Sequence, residues 1–161
     1  MKKIISAILL VQEALGAILL ALFFSTILLQ IGARYAKLPL LWTEEVANYS
    51  FIWAVFMGAS AMVYHRAHFS FSFFSERFKG KKGAYHSLMI SALVLCFTIP
   101  MSLYGISIVD TFWDYNWITL PWMRMGVTWL CLPIMGFSMT LYTVYHMVCD
   151  WRRAQAPEGG Q

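Results

Sequence analysis

The chain has 161 residues, of which 60% are hydrophobic and 12% charged, about half the charge of an average soluble domain. So few charges cannot cover the surface of a soluble domain, which excludes a cytoplasmic globular enzyme, and the apolar content excludes disorder. The formal net charge of +4 is assigned to the inner side of a membrane rather than to nucleic acid.

A membrane helix needs about 20 mostly apolar residues. Four runs without Asp, Glu, Lys or Arg meet that length, over 14–33, 46–64, 87–109 and 125–149. They predict an all-α integral membrane protein with four transmembrane helices at about 12–33, 45–64, 87–109 and 125–149. These form one domain over 1–150, followed by a cytoplasmic tail over 151–161 that becomes polar and rich in Gly and Pro.

In the first span, Lys2 and Lys3 precede an apolar run too long for a signal peptide, with no A-x-A site after it, so the helix is expected to be retained. Lys2, Ser6 and Glu13 fall within about 40° on a helical wheel, which predicts an amphipathic lead-in along the membrane surface. Glu13, beside Gln12, is then interfacial; the alternative is a proton-coupling carboxylate inside the bilayer.

The second span opens with Thr43, Glu44 and Glu45. Thr43 is suited to capping the first turn, and the carboxylates oppose the macrodipole. Adjacent carboxylates point about 100° apart on a helix and do not make one bidentate metal site. One is expected to cap and the other to be free for Arg34 or a partner. Within the span, Ala47, Ser50, Ala54, Gly58 and Ala61 form a small-residue stripe that lets another helix approach closely, with Tyr49, Trp53, Phe56 and Val63 opposite. The stripe serves either a helix of this chain or a partner subunit.

The loop that follows, from His65 to Gly83, mixes Phe69, Phe71, Phe73, Phe74 and Phe78 with Arg77, Lys79, Lys81 and Lys82. Such a mixture predicts an interfacial segment on anionic lipid. The third and fourth spans carry Pro100 and Pro133, which are expected to kink them. None of the four spans carries a pair of charged residues in its middle, so the chain does not look like a self-sufficient carrier of polar solutes.

With four spans, Lys2, Lys3, Arg66, Arg77, Lys79, Lys81, Lys82, Arg152 and Arg153 lie on one side and Arg34, Lys37 and Arg124 on the other. The positive-inside rule then places both termini in the cytoplasm. Trp42, Trp113, Trp117, Trp122 and Trp129 form an outer aromatic belt, and Trp151 an inner one. Cys96, Cys131 and Cys149 contain no CxxC and read as small buried hydrophobes. The absent CxxC removes a thiol oxidase from consideration. No catalytic residue, metal ligand set or cofactor site is expected. A haem b-binding or other membrane-anchor subunit of a respiratory complex is the alternative function, resting on His65, His68, His86 and His146 at the helix ends.

Several short motifs stand in order on this topology: Arg34-Tyr35, then Trp42-Thr43-Glu44-Glu45, then Trp53, Gly58 and His68, with Leu120-Pro121 and Cys131-Leu132-Pro133 further on. Together they resemble the small membrane subunit of tripartite ATP-independent periplasmic (TRAP) transporters, the DctQ type, over roughly 34–133. One departure is Gln30, where the family often carries Asn. The resemblance implies a scaffold subunit that pairs with a large multi-span membrane subunit holding the substrate and sodium sites. A periplasmic binding protein would deliver an organic acid. Ala47, Ser50, Ala54, Gly58 and Ala61 are then candidate subunit contacts. Arg34, Lys37, Asp110, Asp114 and Arg124 on the outer loops are candidate docking residues for the binding protein.

Overall fold

The computed structural model describes residues 2–66 and 81–155. Among them are α1 (Lys2–Tyr35), α2 (Trp42–Tyr64), α3 (Lys81–Phe112), the short α4 (Met125–Trp129) and α5 (Cys131–Gln155). Four stretches are long and apolar enough to cross a membrane: Lys3–Tyr35, Trp42–Tyr64, Tyr85–Phe112 and Met125–Arg152. The four-span, all-helical reading from the charge-free runs therefore holds. Most of the expected interfacial segment, including His68 and the five phenylalanines, lies outside the described residues.

α1 has 34 residues, about 51 Å at 1.5 Å per residue, against about 30 Å of hydrocarbon. Its first turns do not form a separate surface segment, contrary to expectation. Ile5 and Leu9 share one buried cluster with Met57, Ala61 and Val63 of α2 and Met135, Met139 and Tyr142 of α5. Burial of these apolar side chains ties the start of α1 to the bundle.

The helices form an open layer in the order α1, α2, α5, α3, each packed on the next. The outer members are consequently bare. Only 6% of the most apolar window of α1 and 17% of that of α3 is buried, against 39% and 50% for the second and fourth spans.

α3 and α5 approach closely. A Cβ on Gly105 would stand 2.9 Å from the nitrogen of Pro133, and one on Gly136 would stand 2.5 Å from Ser102 Oγ and 3.1 Å from that residue's backbone. Small residues permit such contact between membrane helices. These glycines stood outside the stripe singled out on the second span. Replacing Gly136 with Val is expected to lower stability by about 1–3 kcal/mol through overpacking. Gly58→Ala is the control, since no atom lies within 4 Å of its Cβ position. Unfolding of the purified chain in detergent reads both.

Pro133 acts upstream of where a kink was expected. It lacks the N–H that would reach Trp129, and the fourth span breaks at Leu130, between α4 and α5. Pro133 itself sits in the first turn of α5, where a missing donor is tolerated. α3 continues through Pro100. Cys131 is buried, but Cys96 is exposed on the outer face of α3 and Cys149 is half-buried, so the common expectation for the three cysteines fails.

Candidate functional sites at the two ends of the helix layer

At one end, α1, α2 and α5 converge on a set of polar groups. Glu13 pairs with His65 Nε2 at 2.7 Å, both side chains being substantially exposed. Glu13 thus stands at a polar rim. Next to it, Arg66 donates to Asp150 Oδ2 at 2.7 Å and to the His146 carbonyl at 3.3 Å. Asp150 is almost fully buried, its side chain only 4% exposed. His146 Nε2 lies 2.8 Å from the Tyr64 carbonyl. Arg66 has a left-handed backbone (φ 51°) just past the end of α2, a position that usually favours glycine. The fold keeps an arginine there, and its guanidinium reaches the buried carboxylate.

Deeper in the same region, Gln12 is buried among three helices. Its Nε2 donates to Ser138 Oγ at 2.7 Å and approaches Met135 Sδ at 3.5 Å. Its Oε1 accepts from Tyr142 OH at 2.7 Å and from Ser60 Oγ at 3.2 Å. The amide uses two donors and two acceptor positions, its full complement. Gln12, read from the sequence only as a polar neighbour of Glu13, is the hub of the core. Elsewhere the buried hydroxyls of Thr26, Ser50, Ser102, Ser138 and Thr143 donate to carbonyls one turn back in their own helices. These polar groups are satisfied within the chain.

The opposite end is built around Glu45. The start of α2 has Leu41 as its N-cap residue with no side-chain cap, and Thr43 Oγ1 donates to the Leu40 carbonyl at 2.6 Å. The capping role expected of Thr43 is therefore not filled. Glu45 turns to the loop between α3 and α4. Its Oε1 accepts the Ile118 N–H at 2.8 Å, and its Oε2 accepts the Thr119 N–H at 2.9 Å and the Thr119 hydroxyl. Glu44 is exposed.

The loop has further braces. Trp117 lies against Tyr49, with ring centroids 4.4 Å apart, and its Nε1–H donates to Thr128 Oγ1 at 3.0 Å. The Trp117 N–H reaches the Met123 carbonyl and the Met125 N–H the Tyr115 carbonyl. Arg124 stands 5.7 Å over the Trp113 ring. Trp117 is thus a buried keystone and not a belt residue, whereas Trp122 is 74% exposed.

Arg34 and Lys37 are exposed at the end of α1 and in the turn after it; Asp110, Asp114 and Arg124 are exposed at the end of α3 and in the braced loop. Tyr35 is exposed beside Arg34, Trp42 is partly exposed, and Trp53 packs against the buried cluster. Of the stripe on α2, Ala47, Ser50, Ala54 and Ala61 are buried. Gly58 lies in a groove of about 380 Å³ between α1 and α2, floored by Gly16, Ala17, Ala54 and Val55. Among the described residues no group of three or more His, Cys, Asp or Glu could hold a metal ion.

No individually characterised protein matches the chain closely enough to count as a relative. A family model described as "Tripartite ATP-independent periplasmic transporters, DctQ component" matches residues 23–153, most of the chain. The match starts within α1, leaving out its first 21 residues and with them Gln12 and Glu13, and takes in both the Glu45 loop and the Arg66–Asp150 pair. The chain belongs to the DctQ family, as a multi-pass membrane component of a tripartite ATP-independent periplasmic transporter.

Proposed function

We propose that this chain is the static small subunit of a sodium-coupled organic-acid symporter in a bacterial inner membrane. It anchors a large multi-span subunit that holds the substrate and sodium sites, and it binds no cofactor of its own. The observation that carries this reading is the open helix layer. α1 and α3 leave most of their apolar surface uncovered, and the buried polar side chains named above are spent on one another or on carbonyls of their own helices rather than lining a path. Such a layer has surface to give a partner and no route for a polar solute.

In this reading residues 1–150 are one membrane domain and both termini face the cytoplasm. The loop between α2 and α3 lies on the lipid surface. Arg34, Lys37, Asp110, Asp114 and Arg124 meet the binding protein outside. Nucleic acid has no part in it.

The test is to tag the chain and purify it in mild detergent. A much larger multi-span protein is expected to come down with it, and its absence overturns the reading. The groove at Gly58 makes a sharper form of the test. Gly58→Leu fills a space that is empty in this chain, so folding of the isolated subunit should be unchanged. Recovery of the large subunit should fall several-fold if its helix seats there. Unchanged recovery would remove the groove at Gly58 from the interface.

A further inference from the structure

The outer loop is more tightly held than a connection between two membrane helices requires. We infer that Glu45 is a positioning residue: it fixes the loop 113–124 in the conformation that presents Ile118 and Trp122 as one apolar contact for the soluble solute-carrying component. This rests on the function proposed above and adds to it the residue that shapes the docking surface.

Glu45 belongs to α2, while Ile118 and Thr119 lie more than seventy positions further along the chain. Two consecutive backbone N–H groups and one hydroxyl converge on its carboxylate. Bonds to an ionised acceptor are among the stronger hydrogen bonds. They draw the Ile118 backbone onto α2 while its side chain points away: Ile118 is 86% exposed and Trp122 74%. The Trp117–Tyr49 contact and the Trp117–Thr128 bond hold the base of the same loop. The tip therefore does not collapse onto the protein, although its side chains are apolar.

The kind of occupant follows from the surroundings. Asp114 and Arg124, both exposed, precede and follow the apolar tip along the same loop and carry opposite charges. An apolar centre within a rim of mixed charge is the anatomy of a protein–protein contact. A large aromatic side chain in such a centre is the usual source of binding energy. A loop already ordered before contact loses little freedom on binding. Bare lipid would make no use of the acidic half of the rim.

The experiment uses the complete transporter, with its large subunit, in liposomes. The soluble component is titrated, and its half-saturating concentration and the maximal uptake rate are read separately. Glu45→Gln replaces an acceptor oxygen with a donor facing donors. It should raise the half-saturating concentration by about five- to tenfold, with maximal rate and recovery of the large subunit unchanged. Thr119→Val, which removes one of the three bonds, should move it in the same direction by less. Glu44→Gln should not move it. Ile118→Ala together with Trp122→Ala should raise it as well, and adding Glu45→Gln to that pair should make it no worse, because Glu45 acts through the tip.

A half-saturating concentration within twofold of wild type for Glu45→Gln, or a further rise when Glu45→Gln is added to the paired alanine changes, overturns the inference. So does loss of the large subunit from the Glu45→Gln complex, which would make Glu45 an assembly residue. In the first two cases the complex still forms, and the proposed function stands. That reading fails only if the unmodified chain recovers no large subunit.

Discussion

Arg66→Ala is expected to destabilise the isolated subunit by about 3–5 kcal/mol, the cost of leaving one member of a buried ion pair without its partner. The magnitude follows from Asp150, not from the arginine. The Asp150 side chain is 4% exposed, whereas that of Arg66 is 25% exposed. Truncating the arginine returns a partly wet group to solvent but strands a dry carboxylate. The same guanidinium also donates to the His146 carbonyl, so the end of α2 loses two attachments to α5. Asp150→Ala should cost less, because the remaining arginine can turn toward water. A double change to Met at 66 and Leu at 150 should recover most of the loss, since apolar replacement of both partners removes the stranded charge. Denaturant or thermal unfolding in detergent, comparing the two single variants and the double, checks the asymmetry. Equal losses for Arg66→Ala and Asp150→Ala would show that Coulomb attraction, and not desolvation of Asp150, sets the energy.

The spans were legible because a single charge inside hydrocarbon is costly, so charge spacing along the chain reports directly on topology. The family was legible in short motifs for a related reason: Trp42, Glu44, Glu45 and Gly58 stand at fixed places on that topology. What those residues touch was not legible. Glu45 next to Glu44 at a helix start looks like a response to the helix dipole, and the local rule predicts no more. Its partners, Ile118 and Thr119, are visible only once the loop 113–124 is folded over α2. Trp117 likewise counts as one of several tryptophans near an interface until its Nε1–H is seen to meet Thr128.

The same limit applies to glycine. A stripe at helical spacing is conspicuous on α2, yet its Gly58 faces open space, while the isolated Gly105 and Gly136 sit where α3 and α5 approach closely. Periodicity shows that a helix has a small face. Which helix comes to which face depends on matching shapes between segments that no single-helix pattern encodes. For the same reason the absence of charged pairs from the middle of the spans says little about which polar side chains hold the interior. No span has an ion pair at its middle, but one uncharged residue, Gln12, organises three helices.

Gln12→Leu is expected to lower stability by about 2–4 kcal/mol, summed from the buried hydroxyls it leaves without partners and a packing mismatch at the junction. Leucine keeps the apolar burial but ends one bond short of the amide, so the loss combines packing with the polar bonds: Tyr142 OH and Ser60 Oγ lose their common acceptor, and Ser138 Oγ loses a donor. Ser138 still has the Ile134 carbonyl at 2.6 Å, and a serine at 60 can turn to a carbonyl of its own helix. Tyr142 has no such recourse. It is fully buried, and its hydroxyl is held by the length of a rigid ring. Most of the penalty should therefore sit on Tyr142, and Tyr142→Phe introduced into the Gln12→Leu background should restore stability. In the wild-type background Tyr142→Phe should cost only about 0.6–1.7 kcal/mol, the range of hydrogen bonds between membrane helices. Unfolding of the four chains in detergent completes the cycle. If Tyr142→Phe were as damaging in the Gln12→Leu background as in the wild type, the bond between them would carry no energy. The attachment of α1 to α5 would then rest on the Gln12–Ser138 bond and on the packing of Ile5 and Leu9.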